Sequence, residues 1–180
     1  MCVALYWLSK FCMFMSLLVL IFMYTDQLIQ DLIFCPKTII EAPKDSGISR
    51  GSFKTAFGMV SVDGLHNFTG FISRNATFQE NFSIGLVYDP KEEKGKICLL
   101  RCNGLHGETI GIPHHSFFHI HTVKADDINN GIKVEKHIQK TEEYSTLDDA
   151  IQFYIRYVNI IPADRKKHFP PPSGQIVMEF

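Results

Sequence analysis

The feature that most restricts the fold is a pair of short apolar segments joined by a charged turn. Residues 82–88 and 96–102 are rich in apolar side chains of the kind found in strands, and residues 89–95 between them are mostly charged. Two such segments separated by a few turn residues are typical of an antiparallel hairpin. The chain is therefore expected to contain an antiparallel sheet.

Further strands are predicted on both sides of this hairpin. Residues 52–72 have a strand-like pattern, which Asp63 and Gly64 interrupt with a turn signal, and residues 117–123 alternate in the same way. Together with the hairpin, these segments are enough for a sheet of several strands.

Helices are predicted at both ends of this strand region. Residues 25–33 carry apolar side chains at helical spacing, with Thr25 or Asp26 as the capping residue. Residues 147–159 form an amphipathic pattern that follows the capping residue Thr146. The sequence thus predicts an α+β domain, an antiparallel sheet with the short N-terminal helix and the amphipathic C-terminal helix packed on one face.

The N-terminus is a hydrophobic leader. Residues 11–23 are apolar except for Ser16, and no small-x-small cleavage motif follows them. Two interpretations remain open, a membrane signal anchor and upstream sequence translated from a misassigned start codon. We therefore divide the chain into a leader (1–23), one α+β domain (24–161) and a Pro-rich, loosely ordered tail (162–180).

Composition limits the classes of function. The formal net charge is −1, so no global basic field indicates binding to nucleic acid, although a local basic patch is still compatible with it. The five cysteines include no C-x-x-C pair, which is typical of a reduced, intracellular protein. The sequence has no phosphate-binding Gly-Lys-Ser/Thr loop and no Rossmann fingerprint.

The densest group of reactive side chains lies at residues 114–121, which include four of the eight histidines. In a strand, His119 and His121 point to the same face, roughly 6–7 Å apart. They can hold a divalent metal with a third ligand from elsewhere, or act as catalytic acid and base in phosphoryl transfer. His114 and His115 lie just before the strand, and we assign His115 to substrate binding. The alternative is that these histidines decorate a solvent-facing sheet.

A second group follows the hairpin, at residues 101–108. Arg101 and His106 flank an Asn-Gly turn that can expose backbone N–H groups, and together they can bind an anion. We therefore assign catalytic roles to Arg101 and His106 and a substrate-binding role to Asn103, with a plain turn as the alternative. The Asp126–Asp127 pair is a weaker candidate for a metal carboxylate, and Tyr144 is expected to face solvent.

Several of these segments together resemble an uncharacterised bacterial domain family of unknown function, found in genomes and mobile elements. The resemblance spans residues 24–161 and rests on Leu28-Ile29, Pro36-Lys37, residues 80–86, residues 99–107, residues 114–121 and residues 150–160. It implies a bacterial, cytoplasmic protein whose domain starts near Met23, and it supplies no catalytic residues. Cytoplasmic location is thus the expectation, with membrane anchoring through residues 1–23 as the alternative.

Three hypotheses about function follow. The first is a His-dependent endoribonuclease of conflicts between bacteria and mobile elements, of anti-CRISPR or toxin type, with RNA as its partner. The second is a non-catalytic binding module, an antitoxin or inhibitor, that uses the same histidine-rich surface to bind a protein partner from a defence or counter-defence system. The third is a membrane-anchored protein of unknown role.

Overall fold

A single antiparallel sheet dominates the fold. The computed structural model describes residues 23–91, 95–106 and 113–171, and for residues 113 and 114 it describes the backbone alone. Seven strands lie in chain order, each antiparallel to the next: β1 Lys37–Ser49, β2 Ser52–Ser61, β3 Asn67–Asn75, β4 Phe82–Asp89, β5 Ile97–Asn103, β6 His119–Thr122 and β7 His137–Lys140. The helices are α1 Asp26–Phe34, α2 Ala125–Asn129, α3 Leu147–Tyr157 and α4 Pro162–His168, with a short 3-10 helix at Pro113–Ser116. The α+β class is confirmed.

Local sequence explains the two longer helices. The Thr25 side chain accepts a hydrogen bond from the Leu28 backbone N–H at the start of α1, and the Thr146 side chain accepts one from the Asp149 backbone N–H at the start of α3. Each cap satisfies a donor that the first helical turn leaves unpaired. The caps at Thr25 and Thr146 are therefore confirmed, and Asp26, the alternative to Thr25, is the first residue of α1.

The sheet has two chemically different faces. On one face, Ile84 and Leu86 of β4 pair with Cys102 and Leu100 of β5, and all four are fully buried. They belong to one hydrophobic core that also contains buried residues of the helices: Ile29, Leu32 and Ile33 of α1, and Ala150, Tyr154 and Ile155 of α3. Because side chains alternate along a strand, the residues between them point to the other face. We call it the polar face because it carries Arg101, Asn103, His119 and His121 of β5 and β6.

Lys37 is buried completely within this assembly. Its ammonium donates hydrogen bonds to the carbonyls of Ile33 and Cys35 at the end of α1, and to the carbonyl of Val158 at the end of α3. The Nζ atom also lies 4.7 Å from the centre of the Phe68 ring. Burial lowers the pKa of Lys37 to about 8. One cation therefore satisfies carbonyls at the negative ends of two helices.

The structure adds elements that the sequence did not predict. The tail was expected to be loosely ordered from Pro162, but residues 162–168 form α4, which starts with proline and carries basic residues in its last turn. Proline is favourable in the first turn of a helix and basic side chains are favourable at its C-terminal end, which explains why residues 162–168 form a helix. The Asp164 carboxylate accepts hydrogen bonds from the Thr38 hydroxyl and the Ile39 backbone N–H, so α4 is joined to the edge strand β1.

The predictions for the leader (1–22), for residues 92–94 of the hairpin turn, for residues 107–112 and for the end of the tail (172–180) lie outside the described residues. Within the described ranges, no helix combines the length and the apolar character that a membrane span requires.

Candidate histidine site

The polar face of the sheet carries two neighbouring rows of side chains that cross the strands. Row one consists of cross-strand neighbours from β2 to β7: Ala56, Phe71, Gly85, Arg101, His121 and Ile138. Row two is the next set of neighbours: Lys54, Ser73, Ser83, Asn103, His119 and Lys140. Strand pairing therefore brings four predicted site residues side by side in β5 and β6.

His119 lies at the centre of the site and is fully buried. Its Nδ1 is 2.7 Å from the Phe117 carbonyl oxygen, and its Nε2 is 3.2 Å from the Asn103 side-chain nitrogen. The first contact requires an N–H on Nδ1, and the second requires Nε2 to accept, so both contacts fit a neutral imidazole. Asn103 is positioned in turn by the Ser83 hydroxyl, 2.7 Å from its side-chain oxygen.

The ring of His119 lies between two other imidazoles. The centroids of His106 and His119 are 5.4 Å apart, and those of His119 and His121 are 4.9 Å apart. His115 extends the series, with its ring centroid 4.9 Å from that of His106. We call His106, His115, His119 and His121 the histidine cluster.

The loop after β5 delivers His106 to the cluster. The His106 backbone N–H donates to the His115 carbonyl, and its Nδ1 is 3.1 Å from the Asn81 side-chain oxygen. The Gly104 backbone N–H donates to the Phe82 carbonyl, which prolongs the pairing of β4 with β5. The backbone N–H groups of Gly104 and His106 are thus used inside the protein. These two N–H groups are therefore not available to an anion, contrary to the expectation from the sequence, because the pairing with β4 extends one residue past the end of β5 and the loop then pairs with His115.

Glycine is required at position 104 because the backbone of another segment approaches closely. A Cβ at this position would lie 2.0 Å from the Glu80 carbonyl oxygen. No side chain is compatible with that contact unless one of the two segments moves. The sequence signal interpreted as a turn glycine therefore marks a close backbone approach instead.

An ion pair forms the other wall of the site. Arg101 Nε lies 2.7 Å from a carboxylate oxygen of Glu135, and the Glu135 side chain is almost fully buried. His121 is 8% exposed and makes a hydrogen bond with the Glu135 backbone. Arg101 and His121 are also direct cross-strand neighbours, so a cation is held beside an imidazole.

These surroundings favour the neutral form of two imidazoles. Burial, with the neighbouring His119 next in effect, lowers the pKa of His106 to about 4. Burial, followed by the charge of Arg101, lowers the pKa of His121 to about 4. Both side chains are therefore neutral at pH 7 and able to accept a proton or a hydrogen bond.

The structure brings together all six predicted site residues: His119, His121, His106, Arg101, His115 and Asn103. The side chain of His114 lies outside the described residues. Among the described residues, no group of three or more His, Cys, Asp and Glu side chains is arranged to hold a metal ion. The Asp127 carboxylate contacts Lys136 and His137, both at 2.6 Å, so its position serves local ion pairing.

Sequence reasoning missed three contributors to the site. Glu135 pairs with Arg101, and Asn81 contacts His106. Tyr144 was expected to face solvent, but it is buried and its hydroxyl donates to the carbonyls of His119 and Asn103 at 2.9 and 3.3 Å. Its position two residues before the N-cap Thr146 resembles a surface loop, and no local signal shows that the aromatic ring packs against Phe82 and Phe118.

No family model, curated protein or solved structure matches this chain.

Proposed function

We propose that the chain is a histidine-dependent endoribonuclease whose active site is the histidine cluster with Arg101. The observation that carries the proposal is the placement of His121 beside Arg101, with His106 one imidazole further along. Phosphodiester cleavage requires a proton acceptor, a proton donor and a positive charge near the phosphate. The site contains side chains suited to each role, within one cluster.

In the proposed reaction, the 2′-hydroxyl of RNA attacks the adjacent phosphorus while His121 accepts its proton. The bond from phosphorus to the 5′-oxygen breaks, and His106 supplies a proton to that oxygen, which leaves a cyclic phosphate and a 5′-hydroxyl. Arg101 stabilises the additional negative charge on the phosphate oxygens. His119 acts as a positioning residue, because both of its ring nitrogens already contact the protein.

The protonation states make a pH dependence part of the proposal. Both candidate imidazoles have pKa values of about 4, so at pH 7 His121 is in the neutral form that a proton acceptor requires, whereas His106 has little proton to give. A bound phosphate favours the charged imidazolium and thereby raises both pKa values. The pH dependence of kcat/KM reports the pKa values of the free protein. We therefore expect kcat/KM to rise as the pH is lowered from 7 towards 5, because more of His106 is then protonated.

The test is cleavage of labelled RNA by the purified chain, with the DNA of the same sequence as a comparison. We expect His106→Ala and His121→Ala each to lower the rate by about 100-fold or more, since general acid–base catalysis contributes that much. His168→Gln, in the helix α4, is the matched control and is expected to retain full activity. Full activity of both cluster variants, with unchanged thermal unfolding, would contradict the proposal.

A second candidate is a non-catalytic binding module, and one observation favours it. His119 is completely buried and His121 is 8% exposed, so part of the cluster contributes to the interior of the protein. For this candidate, the outcome is tight binding of RNA or of a protein partner without turnover. In that case, neither the parent chain nor the variants cleave RNA, and the His106 and His121 variants change only the binding affinity.

The setting we propose is bacterial and cytoplasmic, in conflict with mobile elements, and this part rests only on the sequence resemblance. We also infer that α1 and α3 pack on the same face of the sheet, because their buried residues share one core with Ile84 and Leu86. This arrangement supports an active site on the opposite face, where the histidines lie.

A further inference from the structure

The polar face of the sheet extends well beyond the histidine cluster. Rows one and two continue from β6 back to β2, across strands that lie about 4.8 Å apart. Phe71 in β3 is three strands from His121 in β6, which corresponds to about 14 Å. A polymer that enters the histidine cluster along row one therefore passes over Phe71.

Phe71 has an unusual position on this face. A Cβ at Gly85 would lie 2.2 Å from the Phe71 ring, so the ring rests directly on the backbone of β4. The cross-strand pairing of Phe71 with Gly85 produces this contact, because glycine leaves the space above the strand open. Phe71 is half-buried, which is consistent with one side of the ring on the sheet and the remainder accessible.

All charged side chains in the two rows, apart from the histidines, are positive. Row two begins with Lys54 in β2 and ends with Lys140 in β7, both exposed, and row one contributes Arg101. Neither row contains an acidic residue. Glu135 is paired with Arg101, and Glu142 lies 3.5 Å from Lys140 in an exposed ion pair that contributes little. The chain as a whole is close to neutral, so the exposed ammonium groups of Lys54 and Lys140 are local cations at the two ends of row two rather than part of a global field.

We propose that this face binds a single-stranded nucleic acid, with a base stacked on Phe71 and phosphates along Lys54, Arg101 and Lys140. A partly exposed aromatic ring that rests on a sheet, combined with spaced cations, is the chemistry that recognises unpaired bases and their backbone. A duplex offers no unstacked base to such a ring. The inference rests on the proposed function, since it identifies the substrate of that same site as single-stranded.

Binding is measured separately from cleavage. The probes are a labelled single-stranded DNA and a 2′-O-methyl RNA of the same sequence, because neither has a 2′-hydroxyl that can attack the phosphate. Their duplexes serve as comparisons, and fluorescence anisotropy is recorded at several salt concentrations. We expect the single strands to bind more tightly than the duplexes.

The variants separate stacking from charge. Lys54→Ala and Lys140→Ala are expected to weaken binding and to reduce the slope of log K against log salt by about 0.7 each. Phe71→Leu is expected to weaken binding about 5-fold or more with an unchanged slope, and Phe71→Tyr is expected to retain it. Lys167→Ala, on the exposed surface of α4, is the control and leaves binding unchanged.

The outcomes distinguish this inference from the proposed ribonuclease activity. Equal affinity for single strands and duplexes, or unchanged binding by the two lysine variants, overturns the inference even when RNA is cleaved. Tight and Phe71-dependent binding of the uncleavable strands without any cleavage of RNA supports the inference and overturns the ribonuclease.

Discussion

Acid should destabilise this fold through two specific histidines. His106 and His121 have folded-state pKa values of about 4, whereas a histidine in the unfolded chain titrates near 6.5. Above pH 6.5 both states are neutral and the two side chains add no pH dependence. Between pH 6.5 and 4 the unfolded chain binds protons that the folded chain does not, so the free energy of unfolding decreases. Below pH 4 both states are protonated and the decrease levels off.

The size of the decrease follows from the shift. A change from 6.5 to about 4 corresponds to about 3.4 kcal/mol for a group fully shielded from solvent. Because His106 retains partial exposure and the neighbouring charges are screened, we expect about 1–2 kcal/mol for each histidine. The pair should therefore account for about 2–4 kcal/mol of the stability lost between pH 7.5 and 4.

The assay is urea unfolding at a series of pH values, for the parent chain and for the double variant His106→Gln and His121→Gln. Glutamine does not titrate, so the free energy of unfolding of the double variant is expected to decrease by about 2–4 kcal/mol less than that of the parent chain between pH 7.5 and 4. His168→Gln controls for the loss of a histidine elsewhere and should follow the parent chain. Parallel profiles for the parent and the double variant would refute the reasoning, as would NMR titrations that place both imidazoles near pH 6.5.

Three further predictions concern other parts of the structure. Lys37→Met should lower the free energy of unfolding by about 3 kcal/mol, because three helix-end carbonyls lose their donor, and Lys167→Met on the surface should leave it unchanged in the same urea assay. Tyr144→Phe should cost about 1–2 kcal/mol in thermal unfolding, since the hydroxyl contacts two buried carbonyls; unaltered stability would show that those contacts are unimportant. RNA cleavage should persist in EDTA, because both ring nitrogens of His119 contact the protein and are not available to a metal; complete loss would indicate a metal-dependent site.

The elements that the sequence predicts well are those whose signals are local. The helix caps at Thr25 and Thr146 and the hairpin of β4 with β5 each depend on residues close together in the chain. The edge strands β1 and β7 were missed because most of their side chains are exposed on both faces, so no alternation of apolar and polar residues marks them. Three register irregularities in β1 weaken its pattern further.

The same distinction applies to the site. The pairing of His119 with His121 on one face follows from strand alternation alone, and the structure has the two rings adjacent. The contacts of Glu135, Asn81 and Tyr144 depend on how distant segments are brought together, with the last two separated from their partners by 25 or more residues. No periodicity within a segment contains that information.

The position of Lys37 has a consequence for the order in which the protein can fold during synthesis. One of its three acceptors, the Val158 carbonyl, lies 121 residues later in the chain. Until that residue has left the ribosome, α1 and the start of β1 cannot bury the ammonium with all of its hydrogen bonds. Helix α1 and the start of β1 must therefore wait for the end of α3, and the domain is expected to complete its core only after Val158 has been made.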